Sequence, residues 1–142
     1  MHARVAASPY SLGVADRNPV TPLYLDHFNN PRNVGVLERP DGSASTENPV
    51  CGDRLQLTVC LTGDVISEVA YKVLGCSGAI AAASAMSELV RGRTLDEART
   101  IDRNTISEAL GGLPTLKRHG ADLASDGLQA VLTAATHKKE SP

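Results

Sequence analysis

Between Arg54 and Leu61 the chain alternates strictly: Leu55, Leu57, Val59 and Leu61 are apolar, with Arg54, Gln56, Thr58 and Cys60 interleaved. A period of two belongs to a strand with one face in a core and the other toward water. Gly63-Asp64 supplies a turn, and Val65 to Leu74 returns as a second strand, so the two runs form an antiparallel hairpin. Any fold for this chain must cover the apolar face of that hairpin.

The flanking segments supply the cover. Thr21-Pro22 reads as a helix start, a capping hydroxyl with proline just inside, and the short helix stops before Asn29-Asn30-Pro31. Asn33 to Pro40 is an irregular connection, and Ser43 to Val50 reads as an edge strand. After Gly75 a helix runs from about Ser77 to Val90, with Ala79, Ala83, Met86 and Val90 on one face. Thr94-Leu95-Asp96-Glu97 and Thr105-Ile106-Ser107-Glu108 each carry a capping-box signature. Gly111-Gly112 ends the second of these helices, and Leu113-Pro114 keeps it from continuing. A final helix spans about His119 to Thr136, with Ala124, Leu128, Val131, Leu132 and Ala135 as its apolar stripe. Gly127 within it costs ~1 kcal/mol against alanine. Strands first and helices afterwards predict an α+β domain.

A length of 142 residues suits one domain with a real core. Only 3% of residues are aromatic, so Leu, Val, Ile and Ala must fill that core. The formal net charge of −2 gives no basic footprint for nucleic acid, and no apolar run approaches the ~20 residues that span a bilayer. Three cysteines, an odd count without a secretory apolar stretch, speak against a disulfide framework and for a reducing, cytoplasmic setting. Residues 1–20 contain Arg4 and Arg17, but Asp16, Pro9 and Pro19 break any amphipathic helix. They read as a flexible tail; a transit peptide would instead mean the mitochondrial matrix. The expected organisation is a tail over 1–20, a domain over 21–137 and a second tail over 138–142.

Chemistry concentrates at the ends of the hairpin. Cys51 and Asp53 point to the same side across Gly52, a thiolate and a carboxylate suited to one metal ion. Cys76 sits between a strand end and a helix start, where the positive end of the helix dipole favours thiolate. His119 opens the last helix. Taken singly, each has a plainer reading: a buried cysteine with a turn aspartate, a small hydrophobe at a junction, a solvated histidine. The hairpin joins them. The main strand begins just after Cys51 and its partner ends just before Cys76, so both thiols belong at one end of the sheet. Cys60 shares the parity of Gln56 and Thr58, away from that end, and is read as incidental.

Five ordered segments resemble the IscU/NifU-N-terminal type of iron–sulfur cluster scaffold: His27-Phe28-Asn29-Asn30-Pro31-Arg32-Asn33-Val34-Gly35, Asn48-Pro49-Val50-Cys51-Gly52-Asp53, Gly75-Cys76-Ser77-Gly78-Ala79-Ile80-Ala81, Gly92-Arg93-Thr94-Leu95-Asp96-Glu97-Ala98 and Leu113-Pro114-Thr115-Leu116-Lys117-Arg118-His119. The resemblance implies a three-stranded antiparallel sheet packed with about five helices and a ligand site at one tip. It implies a transient [2Fe-2S] cluster, iron or a zinc ion held by three cysteines with an Asp and a His nearby. Carried over, these positions are Cys51, Asp53, Cys76 and His119, but the third cysteine is replaced by Gly120. Restoring it, Gly120→Cys, is expected to strengthen the site. The implied partners are a cysteine desulfurase that gives sulfur, apo acceptor proteins that take the cluster, and an Hsp70-type chaperone docking on Leu113 to Lys117.

Three functions follow from these residues. The first is a cluster scaffold or carrier. The second is a zinc-bound accessory or sulfur-relay protein, since two S, one N and one O ligand complete a tetrahedron without a third cysteine. The third is a metal-free regulatory partner of the desulfurase. Nothing in the chain resembles a nucleophile–base–oxyanion arrangement or a phosphate loop, so no enzyme is expected.

Overall fold

The computed structural model describes residues 20–49 and 52–140. The described elements in chain order are α1 (Pro22–Asn29), β1 (Gly42–Glu47), β2 (Arg54–Thr62), β3 (Val65–Leu74), α2 (Ser77–Val90), α3 (Leu95–Arg99), α4 (Arg103–Ala109) and α5 (Arg118–Glu140), with a 3-10 turn at Thr115–Lys117. The sheet is antiparallel throughout, in the order β1-β2-β3. Among the described residues, the α+β architecture of three antiparallel strands with five α-helices is the one expected.

The alternation in β2 fixes which face the helices cover. Leu55, Leu57 and Val59 are buried toward α5, while α2 packs on the neighbouring β3. On the opposite face Thr58 is also buried, at 2% exposure, which the alternation did not foresee. The irregular connection explains it. Residues 33–35 pair along the free edge of β3, through Tyr71 N–H to Asn33 O and Gly35 N–H to Tyr71 O. The chain then crosses the outer face of the sheet to reach β1. On the way Leu37 N–H donates to Thr58 Oγ1, Cys60 Sγ–H to Arg39 O, and Leu61 N–H to Asp41 Oδ2. One segment thus covers half a sheet face and blunts an edge open to strand pairing.

Local signals set most boundaries. Thr21 Oγ1 accepts from Tyr24 N–H and caps α1. Thr94 and Glu97 form the reciprocal box that starts α3. The second expected box does not form: α4 begins at Arg103, and Asp102 caps it by accepting from Thr105 N–H at 2.9 Å. Thr105 lies inside the helix because a carboxylate three residues earlier caps better than a hydroxyl. The edge strand β1 ends at Glu47, earlier than Val50, because Asn48 opens a turn in which its N–H donates to Asp53 O and its carbonyl accepts from Gly52 N–H.

Helix α2 is buried nearly all round rather than on one face. Gly78, Ala81, Ala82, Ser84, Ala85 and Ser87 are buried along with the expected Ala79, Ala83, Met86 and Val90. Its small side chains let α1, α4, α5 and β3 close on it from several sides at once. Helix α5 lays its stripe across the sheet. Leu128, Val131 and Leu132 are at most 1% exposed, each contributing about 1.5–3 kcal/mol by burial. Gly127 has its reason here: a Cβ there would stand 2.6 Å from Leu55 Cδ2.

Candidate metal centre

The hairpin register brings the first two ligands together. Arg54 pairs with Leu74, so Asp53, just before β2, faces Gly75 and Cys76, just after β3. Gly75 is required by proximity: a Cβ there would lie 2.6 Å from Asp53 Cγ. Cys76 is the N-cap of α2 in extended conformation, and its side chain makes no capping bond. The thiol is left to face His119, whose Nε2 lies 3.2 Å from Cys76 Sγ. The same Nε2 is 3.5 Å from Asp53 Oδ2. One ligand atom each from Asp53, Cys76 and His119 therefore falls within 4.8 Å of the others.

Asp53 gives this cluster its electrostatic character. The residue is 7% exposed, and its Oδ2 is buried with no hydrogen-bond partner among the described residues. Burying a carboxylate oxygen without a donor is costly, and a nearby cation offsets that cost. A borderline divalent metal suits the set, which offers one soft sulfur, one imidazole nitrogen and one carboxylate oxygen. Cys51, expected to add a second sulfur, lies outside the described residues.

Sequence reasoning missed three side chains beside the cluster. Ser77 Oγ lies 2.5 Å from Tyr24 Oη and accepts from Lys117 Nζ at 3.0 Å. Burial is the main cause that pushes the Tyr24 hydroxyl above its ordinary pKa; the Ser77 bond opposes this and the Cys76 charge adds to it. Tyr24 was hidden between Leu23 and Leu25, where an aromatic reads as core. Lys117 was placed only in a docking segment, although its position two residues before His119 was a usable signal.

Two remaining positions resolve differently. Cys60 stands six residues along β2 from Arg54, about 20 Å at strand rise, and its thiol bonds Arg39 O. Burial raises its pKa, and it takes no part in the cluster. Gly120 is packed on α2: a Cβ there would lie 2.5 Å from Gly78 C and O. The expectation that Gly120→Cys strengthens the site is therefore corrected, because there is no room for the β-carbon where the backbone stands.

Comparison with known proteins places the chain in a family. Residues 21–141 match the NifU-like N terminal domain family. The chain is 42% identical over 108 residues to the iron–sulfur cluster assembly scaffold protein IscU 1 of Archaeoglobus fulgidus, spanning 76% of this chain and 71% of that protein. It is also 42% identical over 120 residues to the IscU scaffold protein of Azotobacter vinelandii, spanning 81% and 92%. These relatives are named as scaffold proteins rather than enzymes. In fold it resembles the N-terminal NifU-like protein of Brucella abortus, with TM-score 0.68 at 21% identity over 86% of this chain and 95% of that one. With a family match over nearly its whole described length and relatives this close, the chain belongs to the IscU/NifU N-terminal domain family.

Proposed function

We propose that this protein is an iron–sulfur cluster assembly scaffold. It receives sulfur from a cysteine desulfurase, holds iron or a [2Fe-2S] cluster as cargo at Cys51, Asp53, Cys76 and His119, and passes it to acceptor proteins. The observation that carries this reading is the convergence of the Asp53, Cys76 and His119 ligand atoms within 4.8 Å at the end of the hairpin. No described helix is long and apolar enough to cross a membrane. Leu116, 85% exposed in the turn before α5, supports chaperone docking on Leu113 to Lys117.

The test is anaerobic reconstitution with ferrous iron, cysteine and a cysteine desulfurase, followed by transfer to an apo-ferredoxin. The unmodified protein acquires the visible absorption of a cluster and hands it on. Cys76→Ser and His119→Ala each abolish both steps; a cluster that survives both substitutions would overturn the assignment.

A zinc-bound accessory role is the second reading, favoured by Gly120, since a tetrahedral ion needs no third thiolate. Asp53→Ala separates the two. For zinc it removes a ligand and lowers affinity substantially, whereas for a transferable cluster it slows release and lengthens cluster lifetime.

A further inference from the structure

Gly78 and Gly120 bring the first turns of α2 and α5 into contact backbone to backbone. A Cβ at position 120 would stand 2.5 Å from Gly78 C, 2.5 Å from Gly78 O and 2.7 Å from Ala79 N. Carbon atoms in contact prefer ~3.5–4.0 Å, so any residue larger than glycine at 120 drives the turns apart by about 1 Å. The atoms that would have to yield are main chain, in a helix buried nearly all round. Those same turns carry Cys76, two residues before Gly78, and His119, next to Gly120.

The spacing they set comes within about 0.4 Å of that around one shared ion. Sulfur and nitrogen bound to a tetrahedral zinc at ~2.3 and ~2.05 Å lie about 3.6 Å apart, and nitrogen and oxygen about 3.4 Å. The corresponding separations here are 3.2 Å for Cys76 Sγ to His119 Nε2 and 3.5 Å for His119 Nε2 to Asp53 Oδ2. Metal–ligand bond lengths in a working site hold to about ±0.2 Å, so those bonds cannot absorb a further displacement of about 1 Å.

We infer that the Gly78–Gly120 contact is the positioning device that sets His119 against Cys76 and Asp53, and that it commits α5 to supplying an imidazole instead of a further thiolate. This rests on the metal-site reading above. Gly120 is then a specificity determinant, and restoring a cysteine there weakens the site it was meant to complete.

The experiment measures cobalt(II) affinity and sulfur-to-cobalt charge-transfer absorption anaerobically, for the full chain and four variants. Gly120→Ala and Gly120→Cys each lose about 10- to 100-fold in affinity, the range for losing an orienting contact, and Gly120→Cys gains no charge-transfer intensity per bound ion. Gly127→Ala is the control for mere helix packing. It lies in the same helix, ~10 Å along its axis, where a Cβ would meet Leu55 Cδ2 at 2.6 Å. It shifts the melting temperature and leaves cobalt affinity within about twofold of the unmodified protein, because it orients no ligand. Gly78→Ala, whose Cβ would come 3.1 Å from Lys117 Cβ, carries the test if Gly120→Ala does not fold and shows a smaller loss. Unmodified affinity in a folded Gly120→Ala, or in Gly78→Ala when it stands in, overturns the proposal. So does an equal loss in Gly127→Ala, or added charge-transfer intensity in Gly120→Cys. Failure of the unmodified protein to bind cobalt overturns the metal-site reading itself, and this inference with it.

Discussion

His27 sits on the face of α1 that packs against α2 and is buried, at 6% exposure. Nε2 faces Glu88 Oε1 at 3.5 Å, and Nδ1 shares a hydrogen bond of 2.7 Å with Ser84 Oγ. Ser84 Oγ accepts in turn from Arg32 N–H. Burial first, and the Arg32 charge second, hold the imidazole below its ordinary pKa, while Glu88 and Asp26 oppose them. With the folded value depressed, the unfolded chain takes up a proton first as pH falls below about 6.5. Stability is therefore complete above that pH and declines as pH falls toward the folded value. Urea midpoints compared at pH 7.5 and 5.5 should fall more for the unmodified protein than for His27→Gln. Equal slopes would show that His27 contributes nothing to acid sensitivity. Residues like this are poorly legible in a sequence, since the partners Ser84 and Glu88 lie on another helix. Cys76 and Asp53 were legible because strand register alone places them, whereas Tyr24 and Ser77 meet only through packing of α1 on α2.

At the scale of elements, most helices and strands announced themselves through caps and periodicity. The exceptions are where two local rules competed. Thr105 and Glu108 satisfy a capping pattern, yet Asp102 wins the helix start, and the bond it accepts from Thr105 N–H is also the leading reason its carboxyl lies below the usual range. Asp102→Ala should lower the unfolding midpoint in urea, and Glu108→Ala should leave it nearly unchanged. The reverse order would reinstate Thr105 as the cap. Helix α2 shows a different limit: an alanine-rich run displays little amphipathic contrast, so the sequence cannot reveal that neighbours surround it. The crossing of residues 33–41 over the sheet was likewise unreadable, because most of the groups it offers are backbone N–H and C=O whose partners depend on the finished topology.

For the molecule as a whole, the cluster ties three separate parts together: the sheet through Asp53, the start of α2 through Cys76, and the start of α5 through His119. A ligand that binds only the folded arrangement adds its binding energy to stability, about 2.7 kcal/mol at a hundredfold excess over Kd. For a domain of this size that corresponds to a rise of roughly 5–15 °C in Tm with saturating zinc. Thermal scans should show the rise, a chelator should reverse it, and Cys76→Ser should remove it. An unchanged Tm would mean that the three groups do not share an ion.

The distance along the chain between Cys76 and its histidine, 43 residues, also sets a timetable. At about 5–20 residues per second, His119 leaves the ribosome roughly 2–9 s after the thiol it serves. The site is complete only when the helix from Arg118 to Glu140 has docked, since that helix carries the imidazole and covers the sheet. A half-made chain therefore presents a thiol without its nitrogen partner. The three ligand groups of Asp53, Cys76 and His119 come together only in finished molecules.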